Sequence, residues 1–178
     1  FGWAIDSGLA DHNPALRIKR LYSGDGFHTW TMKEFEAYKA RHAAGSKPRL
    51  ALYLAMFTGF RRETLRIVGR QHERNGWISI RPKKTMTTSG VTVEIPILPI
   101  LRAELDAGAV GELTYLVNDW NRPFASSASL GNKMRDWCDL AGLPNCSLHG
   151  LRKLGATIAA ENGATDEEMM AIFGWTTK

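Results

Sequence analysis

The sequence predicts a mainly α-helical domain that carries one small antiparallel β-sheet, an α+β fold. Apolar residues recur at helical spacing in several capped segments, strict alternation occurs in only one pair of runs, and no internal repeat or low-complexity stretch interrupts them. With 178 residues, 44% hydrophobic and 23% charged, the chain has the make-up of an ordinary globular protein able to bury a sizeable core. No apolar run is long enough to span a bilayer and no signal-peptide pattern is present, so a cytoplasmic protein without a membrane partner is expected. Cys138 and Cys146 fit a reducing compartment better than a disulfide scaffold.

The opening run FGWAIDSGLADHNPALRIKRL reads as the end of an amphipathic helix, stopped near Gly8 and followed by an Asn13-Pro14 turn and a basic stretch. Because the first residue is Phe1 rather than Met, the chain reads as a fragment, with residues 1–25 as the remnant of an upstream domain and its linker. In TWTMKEFEAYKARHAAG, Thr31 and Glu34 have capping-box spacing, Phe35 and Tyr38 share a face, and Gly45 is a stop. Ser46 and Pro48 then open RLALYLAMFTG, apolar on nearly every side and so expected at the centre of the domain, with Gly59 as its end. A short helix is expected through RRETLRIV.

After Gly76, WISIRP and VTVEIPI alternate on either side of the polar KKTMTTSG, as two strands of a hairpin with a long loop would. A helix through PILRAELDAG and a short apolar run LTYLV follow. In SSASLGNKMRDWCDLAG, Leu130, Met134, Trp137, Cys138 and Ala141 recur at helical spacing, with Gly142 as the stop. Ser147 can cap a last long helix, and Asn162-Gly163, the Thr165/Glu168 capping box and Gly174 delimit a further one.

A net charge of +5 and a pI near 9.4 favour a polyanionic partner, though many basic proteins bind none. The residues that could act on one are spread along the chain. His149 and Arg152 lie three apart in the first turns of their helix, on one face and near a terminus that favours anions; a guanidinium there can give two hydrogen bonds to one phosphate. Taken alone, that pair also fits a capped helix with a surface histidine and arginine. Arg61 follows the glycine that ends the buried helix, and Lys84 leaves the first hairpin strand on a loop that could bring it to a ligand. Trp175 is expected exposed beyond Gly174.

In this order TGFRR, KKT, LHGLRK and FGW resemble the catalytic domain of the tyrosine recombinases, the phage integrase family, and the resemblance covers nearly the whole chain. It implies that residues 1–25 end a core-binding domain and its linker and that 26–178 are a catalytic domain, bacterial or phage-encoded, lacking its C-terminal tyrosine segment. Site-specific cleavage and rejoining of double-stranded DNA through a covalent 3′-phosphotyrosine would follow, without cofactor or metal, with self-association on DNA through the full-length protein and a monomer for the fragment. By this resemblance Arg61 and Arg152 grip the non-bridging oxygens of the scissile phosphate, and Lys84 protonates the leaving 5′ oxygen. His149 assists proton transfer at the nucleophile, and Trp175 packs or hydrogen-bonds at the phosphate.

Two positions depart from the family pattern. The usual acidic residue three positions after the first arginine is Thr64, and Glu63 is one residue, about 100° of helix, out of place. The tyrosine expected after FGW is absent, and Tyr22, Tyr38, Tyr53 and Tyr115 do not match its position. A non-catalytic DNA-binding module of the same fold stays an alternative. Cys138, Cys146 and His149 are not expected to bind metal, since Cys138 lies on an apolar stripe and a fourth ligand is not evident; His12, His28, His42 and His72 are expected at the surface.

Overall fold

The computed structural model describes residues 1–16, 18, 26–82, 92–108 and 110–175. Over these it has the expected α+β architecture, helices packed about a central helix with one three-stranded antiparallel sheet. Helix α1 (Gly2–Asp6) buries none of its residues. Helix α2 (Met32–Arg41) starts on the Thr31/Glu34 box, in which Thr31 Oγ1 accepts from the Glu34 amide and the Glu34 carboxylate accepts from the Thr31 amide at 2.7 Å. Its inner face is Phe35 and Tyr38.

Helix α3 (Lys47–Thr58) is the core of the molecule. Leu50, Ala51, Leu52 and Leu54 are fully buried, because a helix apolar all round must be covered on every side. It ends at Gly59, whose left-handed backbone (φ 59°) reverses the chain without steric cost. Helix α4 (Arg62–Ile67) and a 3₁₀ turn (Arg70–His72) lead into strands β1 (Glu73–Arg74), β2 (Trp77–Ile80) and β3 (Val93–Pro96), ordered β1-β2-β3. Ile78 and Ile80 pair with Ile95 and Val93 and turn to the core, while Trp77 and Pro96 pair at the other end.

Helix α5 (Pro99–Ala107) buries Leu101 and Leu105 and packs on α3. Helix α6 (Ser127–Leu140) packs on α4 and α3 through the stripe that includes Leu130, Met134 and Cys138. Helix α7 (Leu148–Glu161) also lies on α3, and α8 (Asp166–Phe173) packs on α7 and β3.

Two expectations need correction. The sheet begins before Gly76: Glu73–Arg74 pair back across Asn75-Gly76, both of which have positive φ (49° and 79°), the geometry of a tight two-residue hairpin. The short apolar run LTYLV, by contrast, is buried as its composition implies at Tyr115, Leu116 and Val117, and it pairs through an isolated bridge from Val117 to Pro123. His42 is buried instead of exposed; its ring lies 4.4 Å from that of Tyr38 and its Nε2 is 3.0 Å from the Trp137 carbonyl. That carbonyl lies near the end of α6, so the imidazole links α2 to α6.

Candidate active site

Arg61 is the N-cap of α4, in extended backbone (φ −67°, ψ 154°) two residues beyond Gly59. His149 and Arg152 come from the start of α7, which is set by Ser147 Oγ accepting the Gly150 amide at 3.2 Å. Their spacing brings them to one side of the helix, but at different depths. His149 is exposed, and Arg152 is buried.

The burial of Arg152 is compensated by backbone. Its Nη1 donates to the Gly59 carbonyl and its Nη2 to the Phe173 carbonyl at 2.5 Å, while its guanidinium carbon lies 5.2 Å from the Phe173 ring centre. These carbonyls lie at the ends of α3 and α8, so one side chain joins two helix termini. A guanidinium carries more N–H donors than two carbonyls take up, and Arg152 still lines an open cleft. An arginine expected as a surface residue on the plain structural reading is therefore both anchored and available.

That cleft, of about 710 Å³, brings Arg61, His149 and Arg152 together and adds Arg62, Arg135 and Phe27 to its wall. Four arginines against the one carboxylate of Glu63 give the opening a positive balance that favours an anion. Burial first, and then Arg61, push the Arg152 guanidinium down to about 10, which leaves it charged at neutral pH. Burial, followed by Arg152, Lys153 and Arg61, holds His149 below its ordinary value, so its imidazole is neutral and can accept a proton. The Phe27 ring lies 4.8 Å from that of His149.

Trp175 is exposed, as expected, and stacks on Phe173 with ring centres 5.1 Å apart. Through Phe173 it is one contact from Arg152. Lys84 lies outside the described residues. Thr64 is buried in α4, and Glu63 pairs at 3.4 Å with Arg66. The described tyrosines Tyr38, Tyr53 and Tyr115 are all buried, and Tyr22 lies outside the described residues. Sequence reasoning missed Arg62, Arg135 and Phe27 as cleft residues. A signal existed for Arg135: Ser127, Gly131 and Arg135 recur every four residues along α6 and all line the cleft.

No protein-family model and no curated protein matches the chain. Solved structures do. A lambda integrase fragment, residues 75–356, as a dimer bound to a COC′ core site superposes with TM-score 0.76 at 19% identity, covering 99% of this chain and 67% of that one. XerA recombinase gives 0.70 at 16% identity, covering 84% and 56%. The Tn1549 transposon integrase in complex with transposon right-end DNA gives 0.69 at 12%, covering 94% and 63%. The chain thus has the fold of a tyrosine-recombinase catalytic domain; it spans between about half and two thirds of the length of the lambda integrase structures bound to DNA, and 94% of the lambda integrase catalytic core.

Proposed function

We propose that the chain is the catalytic domain of a site-specific DNA recombinase or integrase that acts on double-stranded DNA through a 3′-phosphotyrosine. The supporting observation is the convergence of Arg61, His149 and Arg152 on one cationic cleft in a fold shared with integrases and recombinases. Arg61 and the free edge of Arg152 would hold the non-bridging oxygens of the scissile phosphate and stabilise the charge that grows on them in the pentacoordinate transition state. Neutral His149 would accept the proton of the attacking hydroxyl, and Lys84 would protonate the leaving 5′ oxygen. Trp175, packed on Phe173, would support the phosphate from the Arg152 side. Residues 1–25 would belong to the upstream core-binding domain and linker, and the assembly on DNA would be that of the longer protein.

The nucleophile would be a tyrosine that follows Trp175 in the longer protein, since Tyr38, Tyr53 and Tyr115 are buried. The same burial favours the second reading, a DNA-binding module that cannot cleave. A denaturing gel with labelled nicked duplex separates them. The 178-residue chain should give no covalent adduct, while the protein extended beyond Lys178 should give one that survives EDTA and maps to the added tyrosine. An adduct on Tyr22, or cleavage that depends on added metal, would refute the proposed chemistry. Both readings require duplex binding by the 178-residue chain that weakens steeply with salt, as counterion release demands; binding flat in salt refutes both.

A further inference from the structure

His28, Glu34 and Cys146 come from three separate segments and meet beside the start of α7. Their donor atoms all lie within 4.8 Å of one another. His28 stands in the stretch that enters α2, Glu34 in the first turn of α2, and Cys146 in the turn before α7. One imidazole nitrogen, one carboxylate oxygen and one thiol sulfur form a donor set suited to zinc, which accepts nitrogen, oxygen and sulfur in a tetrahedron and can take water in its fourth place. We propose that this cluster binds a zinc ion, which braces the entering segment against the helix that carries His149 and Arg152.

The surroundings are already arranged for that. One Glu34 oxygen is occupied by the Thr31 amide at 2.7 Å and the Thr31 hydroxyl at 2.9 Å, which orients the carboxylate and leaves the other oxygen 2.9 Å from His28 Nε2. His28 Nε2 also lies 3.0 Å from the first of these oxygens, so the imidazole faces the carboxylate squarely. Zinc bonds of about 2.0–2.3 Å at tetrahedral angles place donor pairs roughly 3.3–3.6 Å apart, so the His28–Glu34 pair must open by about half an ångström and the 4.8 Å separation, which involves Cys146, must close by about 1.2–1.5 Å. His28 is exposed and can move that far. Cys146 is buried and its amide donates to the Leu143 carbonyl at 3.0 Å, so the backbone that carries the sulfur is held in place. With neutral imidazole, carboxylate and thiolate, the divalent ion leaves the cluster neutral, and the thiol proton goes to solvent.

The consequence for the cleft follows from what the entering segment touches. Trp30 Nε1 donates to the Ser147 carbonyl at 2.9 Å, Lys153 Nζ donates to the Phe27 carbonyl at 2.8 Å, and Phe27 packs on His149. An ion shared by His28, Glu34 and Cys146 would tighten this collar from the wall of the cleft, which Cys146 also lines. The inference does not depend on the nucleic-acid reading.

The test is a titration of the 178-residue chain with Co²⁺ in a thiol-free reductant, followed by Zn²⁺ displacement and a thermal melt with Zn²⁺. One equivalent of Co²⁺ should give a thiolate charge-transfer band and tetrahedral d–d bands, zinc should displace it, and zinc should raise the melting temperature. Cys146→Ala should abolish the thiolate band, the exposed-site variant His28→Ala should weaken binding by about tenfold or more, and Cys138→Ala should change nothing. No thiolate band in the unsubstituted chain, a band that survives Cys146→Ala, or undiminished binding in His28→Ala would overturn the proposal.

Discussion

At the scale of single residues, Arg152 holds the fold and faces the cleft at once. It was read from the sequence as a ligand-gripping side chain, which would let Arg152→Lys disable chemistry and spare stability. Its bonds to the Gly59 and Phe173 carbonyls change that expectation. A lysine cannot reach both carbonyls with a planar fork, so one buried acceptor is orphaned, at about 1–3 kcal/mol. Among the described residues Arg61 makes no such buried bonds to backbone carbonyls, and Arg61→Lys should leave stability within about 0.5 kcal/mol. Urea unfolding of the two variants checks this: equal midpoints would show that Arg152 is not structural. The H-x-x-R spacing made the position of Arg152 legible, but not its depth, because its acceptors lie 93 and 21 residues away in sequence.

At the scale of elements, local signals were read well wherever they were chemical. The Thr31/Glu34 and Thr165/Glu168 boxes, Ser147 as a cap, and Gly59 and Gly174 as left-handed ends all stand where sequence placed them. Strand β1 was missed because two polar residues, Glu73 and Arg74, show no alternation; the Asn75-Gly76 pair was the available signal. Arg74 and Trp77 flank that turn as direct partners. The burial of His42 was missed because its partner carbonyl belongs to α6, far along the chain. For α3, periodicity alone implied burial, and the price of disturbing it follows: Leu54→Ala should destabilise by about 2–5 kcal/mol through lost apolar contact and a cavity. A chemical melt showing a change below 1 kcal/mol, about the cost of a surface substitution, would mean that α3 does not carry the core.

At the scale of the whole molecule, charge and burial act together on acid stability. His42, His72 and His149 are all held below the ordinary histidine value, with burial the first cause in each. The unfolded chain therefore binds protons more readily than the folded one, so their contribution is complete above the ordinary histidine range and is lost as pH falls through it. Glu73, whose carboxylate accepts from Tyr115 and from Arg102 Nη2 at 2.5 Å, also has a lowered value despite its burial, and its contribution is lost only at more acid pH. Acid unfolding followed by tryptophan fluorescence should thus begin in the histidine range, and His42→Gln should flatten that first phase. Stability constant from neutral pH down to the carboxylate range would contradict the lowered histidine values.

The stretch from Gly26 to Trp30 sits against the start of α7 so closely that a side chain at Gly150 would strike the His28 carbonyl and the Trp30 ring. Trp30 itself is almost fully buried, and its amide meets the Gly150 carbonyl at 3.4 Å. For anyone building chimaeras, this fixes the usable splice point. Any foreign segment placed in front must be joined before Gly26, because a junction after Trp30 would import foreign residues into the packing that shapes the cleft, whereas one before Gly26 inherits it intact.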